Sequence, residues 1–235
     1  MSEAGGAATL VRVLEVDPDL GGSLDGERLE AATAAARALV ERLDKGPWEP
    51  AETSPTIGEG FGLLVLSGFL VRRVGRDDRH GAELLGAGDL LRPWQTLSPT
   101  ASRPFEQSWQ AIAPVEVAVL DPAFAGRVAP FPEIAARLID RAMLRSRHLA
   151  LELAIVGQRR IERRIEMLFW QLADRWGVRT PDGVRVEVPL THALLAELVA
   201  ARRPSVSTAL GRLAEAGTVT RSGDAWLLGG CGPNG

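Results

Sequence analysis

Residues 190–228 read LTHALLAELVAARRPSVSTALGRLAEAGTVTRSGDAWLL, and residues 202–213, RRPSVSTALGRL, form the centre of that stretch. A helix that only packs has no use for two arginines, a proline and a row of small hydroxyl residues at its opening. A helix that sets its first turn into a DNA groove does. Thr191 predicts an N-cap for a helix starting at His192, with Leu194, Leu195, Leu198 and Val199 as its apolar face. That helix is expected to end after Val199, leaving residues 200–203 as a short connection. Pro204 suits the first turn of a second helix. In that helix Val206, Leu210 and Leu213 fall at i, i+4 and i+7 and face inward. Pro204, Ser207, Thr208, Gly211 and Arg212 take the opposite face. Gly217 stands where helices end. The segment TVTRSGDAWLL alternates around Ser222, Gly223 and Asp224, which predicts a two-stranded wing bearing Arg221.

Helix, short turn, helix and hairpin make a winged helix-turn-helix. The second helix points its free N–H groups and partial positive charge outward, which suits phosphates. Arg202 and Arg203 add full charges there. Arg203 is placed to donate to guanine O6 and N7 together. Ser205 is a phosphate ligand in this reading, while Ser207 and Thr208 are short enough to admit base edges. Thr191, Pro204, Arg212 and Arg221 complete the candidate DNA-binding set. The alternative is a winged-helix protein-interaction module without sequence-specific DNA binding. Arg203→Ala separates the two, because it weakens DNA binding and spares a protein partner.

The chain has 235 residues, enough for two domains. Its net charge of -3 argues against nucleic acid only until the charge is located. Residues 158–235 carry 11 arginines against 8 carboxylates, net +3, while the preceding 157 residues carry 16 basic and 22 acidic groups, net -6. The basic part is the C-terminal third. The single cysteine, Cys231, excludes an internal disulfide framework and an all-cysteine metal site within one chain, and fits a cytoplasmic location. No basic start followed by an apolar run marks a signal peptide, and no apolar stretch is long enough for a bilayer.

Upstream, residues 27–43 predict a helix capped by Asp25, with Leu29, Ala32, Ala36, Leu39 and Leu43 on one stripe. KGPWEPAETSP then breaks any helix. Between residues 56 and 120, short apolar runs (FGLLVL, FLVRRV, AELL, WQAIA, VEVAVL) alternate with Gly, Pro, Asp and Ser turns, which predicts an antiparallel sandwich or barrel. From Pro132 a helical stripe of Ile134, Leu138, Ala142, Arg145, Leu149, Leu153 and Val156 lasts about 25 residues, roughly 37 Å. Its length predicts a dimer helix, with a core helix as the plainer reading. Gly157 marks a joint. QRRIERRIEMLFWQLADRW follows as an amphipathic helix with Ile161, Ile165, Leu168, Leu172 and Trp176 on one face. Its Arg159, Arg160, Arg163 and Arg164 read as a solvated face. Residues 177–191 predict a strand pair around Pro181, Asp182 and Gly183.

The gap-free pattern LTxxxLAxLVAARRPSVSxALxxLxxxG over residues 190–217 resembles the DNA-binding motif of the CRP/FNR family of bacterial transcription regulators. The order of elements is similar too: β-roll, long helix, linking helix, winged helix. LSGFLVRRV and ELLGAGDLL resemble two glycine-containing turns of the family's β-roll. The resemblance implies an α+β fold: an N-terminal antiparallel β-roll with helices (residues 1–131), a dimerisation helix (132–157) and a winged helix-turn-helix (158–235). It implies a homodimeric transcription regulator, not an enzyme. Its partners are double-stranded DNA and a second copy, with RNA polymerase and a small-molecule effector as further ones and no membrane.

Arg203 matches the family's principal base-reading arginine. Pro204 stands where many members have a base-reading glutamate, and Thr208 where some have a second base-reading arginine. Two contacts of about 1–3 kcal/mol of discrimination each are thereby replaced, so the operator is expected to differ from the family's familiar one. The cyclic-nucleotide phosphate cradle is also missing. GDLLRPWQTLSPTASRPFEQSWQ lacks the Gly-Glu pair, and Arg103 is followed by Pro104. cAMP binding is not expected, and no other cofactor is identified. Arg92, Trp94, Arg103 and Trp109 are the candidate lining of a pocket for some other effector, with core tryptophans and solvated arginines as the plainer reading. A cupin-type metalloenzyme would need clustered histidines, but His80, His148 and His192 are scattered. GEGFG at residues 58–62 reads as a turn, since its spacing is not that of a nucleotide loop.

Overall fold

The computed structural model describes residues 9–50, 60–76, 79–95 and 105–229. Contacts divide the chain into two compact units, residues 1–78 with 84–146 and residues 79–83 with 147–235. One sheet is ordered β1-β2-β9-β4-β7, from β1 (Thr9–Arg12), β2 (Arg37–Leu43), β9 (Val115–Leu120), β4 (Gly62–Ser67) and β7 (Leu90–Leu91). A second is ordered β3-β8-β5-β6, from β3 (Gly46–Trp48), β8 (Glu106–Ala111), β5 (Phe69–Arg76) and β6 (Arg79–Gly86). The ladders whose register is described in both sheets are antiparallel. Each of the expected apolar runs overlaps a strand. Gly68, at φ 80°, makes the β4–β5 turn, and a Cβ there would run into the Pro114 carbonyl.

The side chains between the sheets are those of Leu63, Val65, Leu70, Leu85, Val117 and Trp109, with Trp48 and Trp94 packed against them. Trp48 meets Trp109 edge-on, with ring centroids 5.7 Å apart. On the other face of the five-stranded sheet, Ala38, Leu64, Ala118 and Leu120 pack against Leu24, Ala32, Phe124, Val128, Ile134 and Leu138. These come from α2 (Gly26–Ala35), α3 (Pro122–Val128) and the start of α4 (Pro132–Val156), and from the segment before α2, which holds α1 (Val13–Val16).

The helix predicted over residues 27–43 is corrected at its C-terminal half. It stops at Ala35, and Arg37–Leu43 is a strand. The sequence ALVERL satisfies both periods for a few residues. The neighbours decide: β2 lies between β1 and β9, with Leu39 opposite both Leu10 and Val119. Ala38 and Val40 are buried while Leu39 is 47% exposed, the alternation of a strand rather than a stripe. Asp25 sits at the N-cap position in extended conformation, but its side chain makes no capping hydrogen bond.

Helix α4 has the predicted length of 25 residues. Arg28 bonds Glu133 at 2.7 Å and Arg141 bonds Asp17 at 2.9 Å, which fasten its first half to α2 and to the segment after α1. Ile134 and Leu138 are buried. Beyond them the apolar side chains are largely exposed: Ile139 58%, Met143 53%, Leu151 52% and Leu153 77%.

The second unit contains α5 (Ile161–Trp176), β10 (Gly177–Thr180), β11 (Gly183–Val186), α6 (His192–Leu198), α7 (Arg203–Glu215), β12 (Val219–Ser222) and β13 (Ala225–Leu228). Its four strands form an antiparallel sheet in the order β10-β11-β13-β12. Ile165, Leu168, Phe169 and Leu172 of α5 are buried, as are Leu195 of α6, Val206 and Leu210 of α7 and Trp226 of β13. Phe169 and Trp226 meet with centroids 4.8 Å apart. Among the described residues no helix is long and apolar enough to cross a membrane.

Candidate nucleic-acid interface

The helix-turn-helix is built from two capped helices. Thr191 accepts a hydrogen bond from Leu194 N–H at 3.1 Å, the side-chain cap that starts α6. At the other end, Ala201 N–H bonds Ala196 O at 2.8 Å and Ala200 N–H bonds Glu197 O at 3.2 Å. This pairing is a Schellman motif whose left-handed residue is Ala200, at φ 49°, the one described non-glycine residue with positive φ. Helix α7 closes in the same way, with Thr218 N–H to Leu213 O and Gly217 N–H to Ala214 O, both 3.0 Å. There the left-handed residue is Gly217, at φ 69°.

Arg164 of α5 braces the turn. Its Nη1 donates to Val199 O at 3.0 Å and Ala200 O at 3.1 Å, and its Nε donates to Gln158 O at 2.7 Å. Of the four arginines read as a solvated face, Arg164 thus satisfies three backbone carbonyls, and Arg163 pairs with Glu166 at 2.9 Å.

Helix α7 begins at Arg203, one residue before the proline, so Pro204 is the second helical residue. Val206, Leu210 and Leu213 are buried, as the spacing predicted, and Ala209 is buried with them. Arg202, Arg203, Pro204, Ser207, Thr208, Gly211 and Arg212 are exposed, and Ser205 is half-buried. A Cβ on Gly211 would meet nothing within 4 Å, so no internal packing requires glycine there. Among the described residues neither the Arg202 nor the Arg203 guanidinium has a protein partner. Ser207 Oγ donates to Arg203 O at 3.2 Å and Thr208 Oγ1 donates to Pro204 O at 3.1 Å. Both hydroxyl protons are therefore engaged within the helix, and the oxygens face outward as acceptors.

Arg212 and Arg221 are held differently. Arg212 Nη1 is 2.7 Å from Glu162 Oε1 of α5. The backbone N–H of Glu162 and that bond keep the Glu162 carboxyl below the usual range. Arg221 lies over the Trp226 ring at 4.7 Å, and its Nε and Nη1 donate to Gly223 O and Leu190 O.

Three of the four candidate effector residues lie among the described residues of the first unit. Trp109 is buried between the sheets, and Trp94 packs beside the same cluster. Arg92 donates to the carbonyls of Phe61 and Gly60. Arg103 lies outside the described residues. A groove of about 320 Å³ opens among Leu10, Arg37, Leu39, Val119, Asp121 and Arg127.

Residues 163–228 match the family model described as a Crp-like helix-turn-helix domain. No curated protein sequence matches the chain. Solved structures of similar fold include a cyclic nucleotide-binding domain containing protein from Listeria monocytogenes, with TM-score 0.62 and 15% identity over 91% of this chain and 97% of that one. A CooA mutant from Carboxydothermus hydrogenoformans aligns with TM-score 0.59 and 19% identity, covering 95% and 92% of the two chains. A CRP-family transcriptional regulator from Thermus thermophilus aligns with TM-score 0.54 and 20% identity, covering 81% and 92%.

Proposed function

From a chain that carries a Crp-like helix-turn-helix domain and has the fold of CRP-family regulators, we infer a sequence-specific, DNA-binding transcription regulator that acts as a homodimer. The observation that carries this reading is the opening turn of α7. Two arginines without a protein partner, a helix N-terminus and the bare surface at Gly211 stand together on one exposed face. Phosphates meet Arg202, Ser205 and the helix N–H groups, and Arg203 reads guanine. Thr208 and Ser207 present acceptors, which suit the exocyclic amines of cytosine or adenine. Thr191, Pro204, Arg212 and Arg221 shape and flank this surface.

The exposed apolar side of α4 supports the dimer. Ile139, Met143, Ala150 and Leu153 follow each other by 4, 7 and 3 residues, the spacing of a helix–helix seam. Two copies joined there would set two α7 helices on half-sites about 34 Å apart or a multiple of it. The first unit serves as the sensory half, for an effector that is unknown or has been lost. Its signal acts by shifting the population of DNA-competent dimers.

Selection of duplexes from a randomised library tests the reading, followed by affinity against salt for the winner. A palindromic winner with a steep salt slope is the expected result. Arg203→Ala should weaken binding to that duplex by about 5- to 150-fold, the loss of one bidentate base contact. Enrichment of no sequence, or an Arg203→Ala variant with undiminished affinity, would overturn it.

A further inference from the structure

Glu162 and Arg212 join the start of α5 to the exposed side of α7. Glu162 is the second residue of α5, and its Oε1 accepts from Arg212 Nη1 at 2.7 Å. The carboxylate also accepts from its own backbone N–H, which together with the Arg212 bond keeps it below the usual range and charged at neutral pH. The charged groups acting on it are Arg212 and Arg160, both cations.

Successive residues of a helix are turned by about 100°. Arg203, Ser207 and Gly211 follow one exposed line along α7. Arg212 stands one step round from Gly211, at the rim of that face on the side of α5. A helix set in a groove meets base edges along its central line and phosphates at its rims. A guanidinium at the rim has the charge and the fork of donors that a phosphate takes. Here that charge is already answered by Glu162, so the pair carries none between them. Arg202 and Arg203, at the opening of the helix, keep theirs.

We propose that Glu162 withholds Arg212 from the DNA backbone and so limits the number of phosphates that each copy of the chain neutralises. This rests on the DNA-binding reading above and adds to it a residue that holds affinity down. A phosphate that took Arg212 would break a charge-assisted bond and leave the Glu162 carboxylate bare beside a polyanion. A carboxylate so placed repels the phosphate. The exchange gains little, and Arg212 stays on α5. Without the carboxylate the same guanidinium is free to turn to the duplex. An anion in this position lowers binding to every sequence alike, because it acts on phosphates and not on bases.

The test uses the full chain, its selected duplex and a duplex of scrambled sequence. Affinity is measured against salt, with circular dichroism confirming the fold of each variant. Glu162→Gln keeps the length of the side chain and removes its charge. It should bind both duplexes more tightly than wild type, with a slope of log K steeper by about 0.9 for each bound copy. Its advantage then shrinks by about 3.5-fold per copy between about 50 and about 200 mM salt. The gain needs Arg212, so Glu162→Gln combined with Arg212→Gln should return to the wild-type slope. Asp174→Asn removes an equal charge from an exposed position at the far end of α5 and should leave the slope at the wild-type value. A Glu162→Gln slope equal to that of wild type would overturn the proposal while leaving the DNA-binding reading intact. So would a double variant that keeps the gain, or an Asp174→Asn variant that shows it. Absence of binding to any duplex by any of these proteins would overturn both.

Discussion

Ala200 occupies a backbone position that favours glycine, and replacing it should make the protein more stable. At φ 49° it is the left-handed residue that closes α6. For an L-residue this conformation costs about 1–2 kcal/mol, because Cβ crowds the following carbonyl oxygen. Glycine removes that cost and loses about 0.5–1 kcal/mol through its greater freedom in the unfolded chain. At the midpoints of these ranges the balance favours Ala200→Gly by roughly 0.75 kcal/mol. Both Schellman hydrogen bonds and both Arg164 bonds at this turn run to backbone atoms, so the substitution leaves them in place. For a domain of this size the gain corresponds to a rise in Tm of roughly 2–8 °C. Thermal unfolding of the full chain, followed by circular dichroism in the transition that includes the helix-turn-helix, measures it. Ala200→Val should move Tm the other way, since a β-branched side chain tolerates the left-handed region worse than alanine. An unchanged or lowered Tm for Ala200→Gly would refute the strain argument.

Three further outcomes are expected. Arg164→Met leaves the carbonyls of Gln158, Val199 and Ala200 without their shared donor and should cost about 1.5–3 kcal/mol, the range for a hydrogen-bonded charge, read as a lower urea midpoint. The His148 imidazole is held below its ordinary pKa of 6.5, first by burial and then by the Arg175 cation, and its buried Nδ1 has no partner. The folded state then binds its proton less readily than the unfolded one, so stability is full above about pH 6.5 and falls as pH drops below it. His148→Gln should flatten that part of the pH profile of the urea midpoint. Leu153→Glu places a charge on the most exposed large apolar side chain of α4 and should convert a dimer to monomer in sedimentation equilibrium. A variant that sediments like wild type would remove this seam from the dimer.

The winged helix was legible because its signals are local. A threonine cap, a proline in the first turn, a terminal glycine and a clean i, i+4, i+7 stripe each act within a few residues, and the structure places each where the spacing put it. The strands of the roll were legible for the same reason. The failure at residues 36–43 was one of context: ALVERL fits a helix stripe until β1 and β9 take up its two edges. Arg164 was hidden by its neighbours. Four arginines in six residues look alike in sequence, and only the docking of α5 beside the turn singles out the one that reaches two helix-ending carbonyls. Ala200 was hidden because alanine is the best helix former, and nothing nearby announces a left-handed cap. Exposure along α4 follows from which turns meet the sheet and which do not, a tertiary fact that the stripe alone cannot carry.

The chain contains six tryptophans and no tyrosine. Excited beyond phenylalanine absorption, this protein therefore emits indole light alone, and the indoles sit at telling places. Trp48, Trp94 and Trp109 belong to the interior of the roll. Trp226 lies in the wing, under the guanidinium of Arg221. A cation over an indole face changes the energy of its excited state, so an event that draws Arg221 off the ring changes the colour of that emission. The wing carries a built-in fluorophore, and its engagement can be followed in the unlabelled protein.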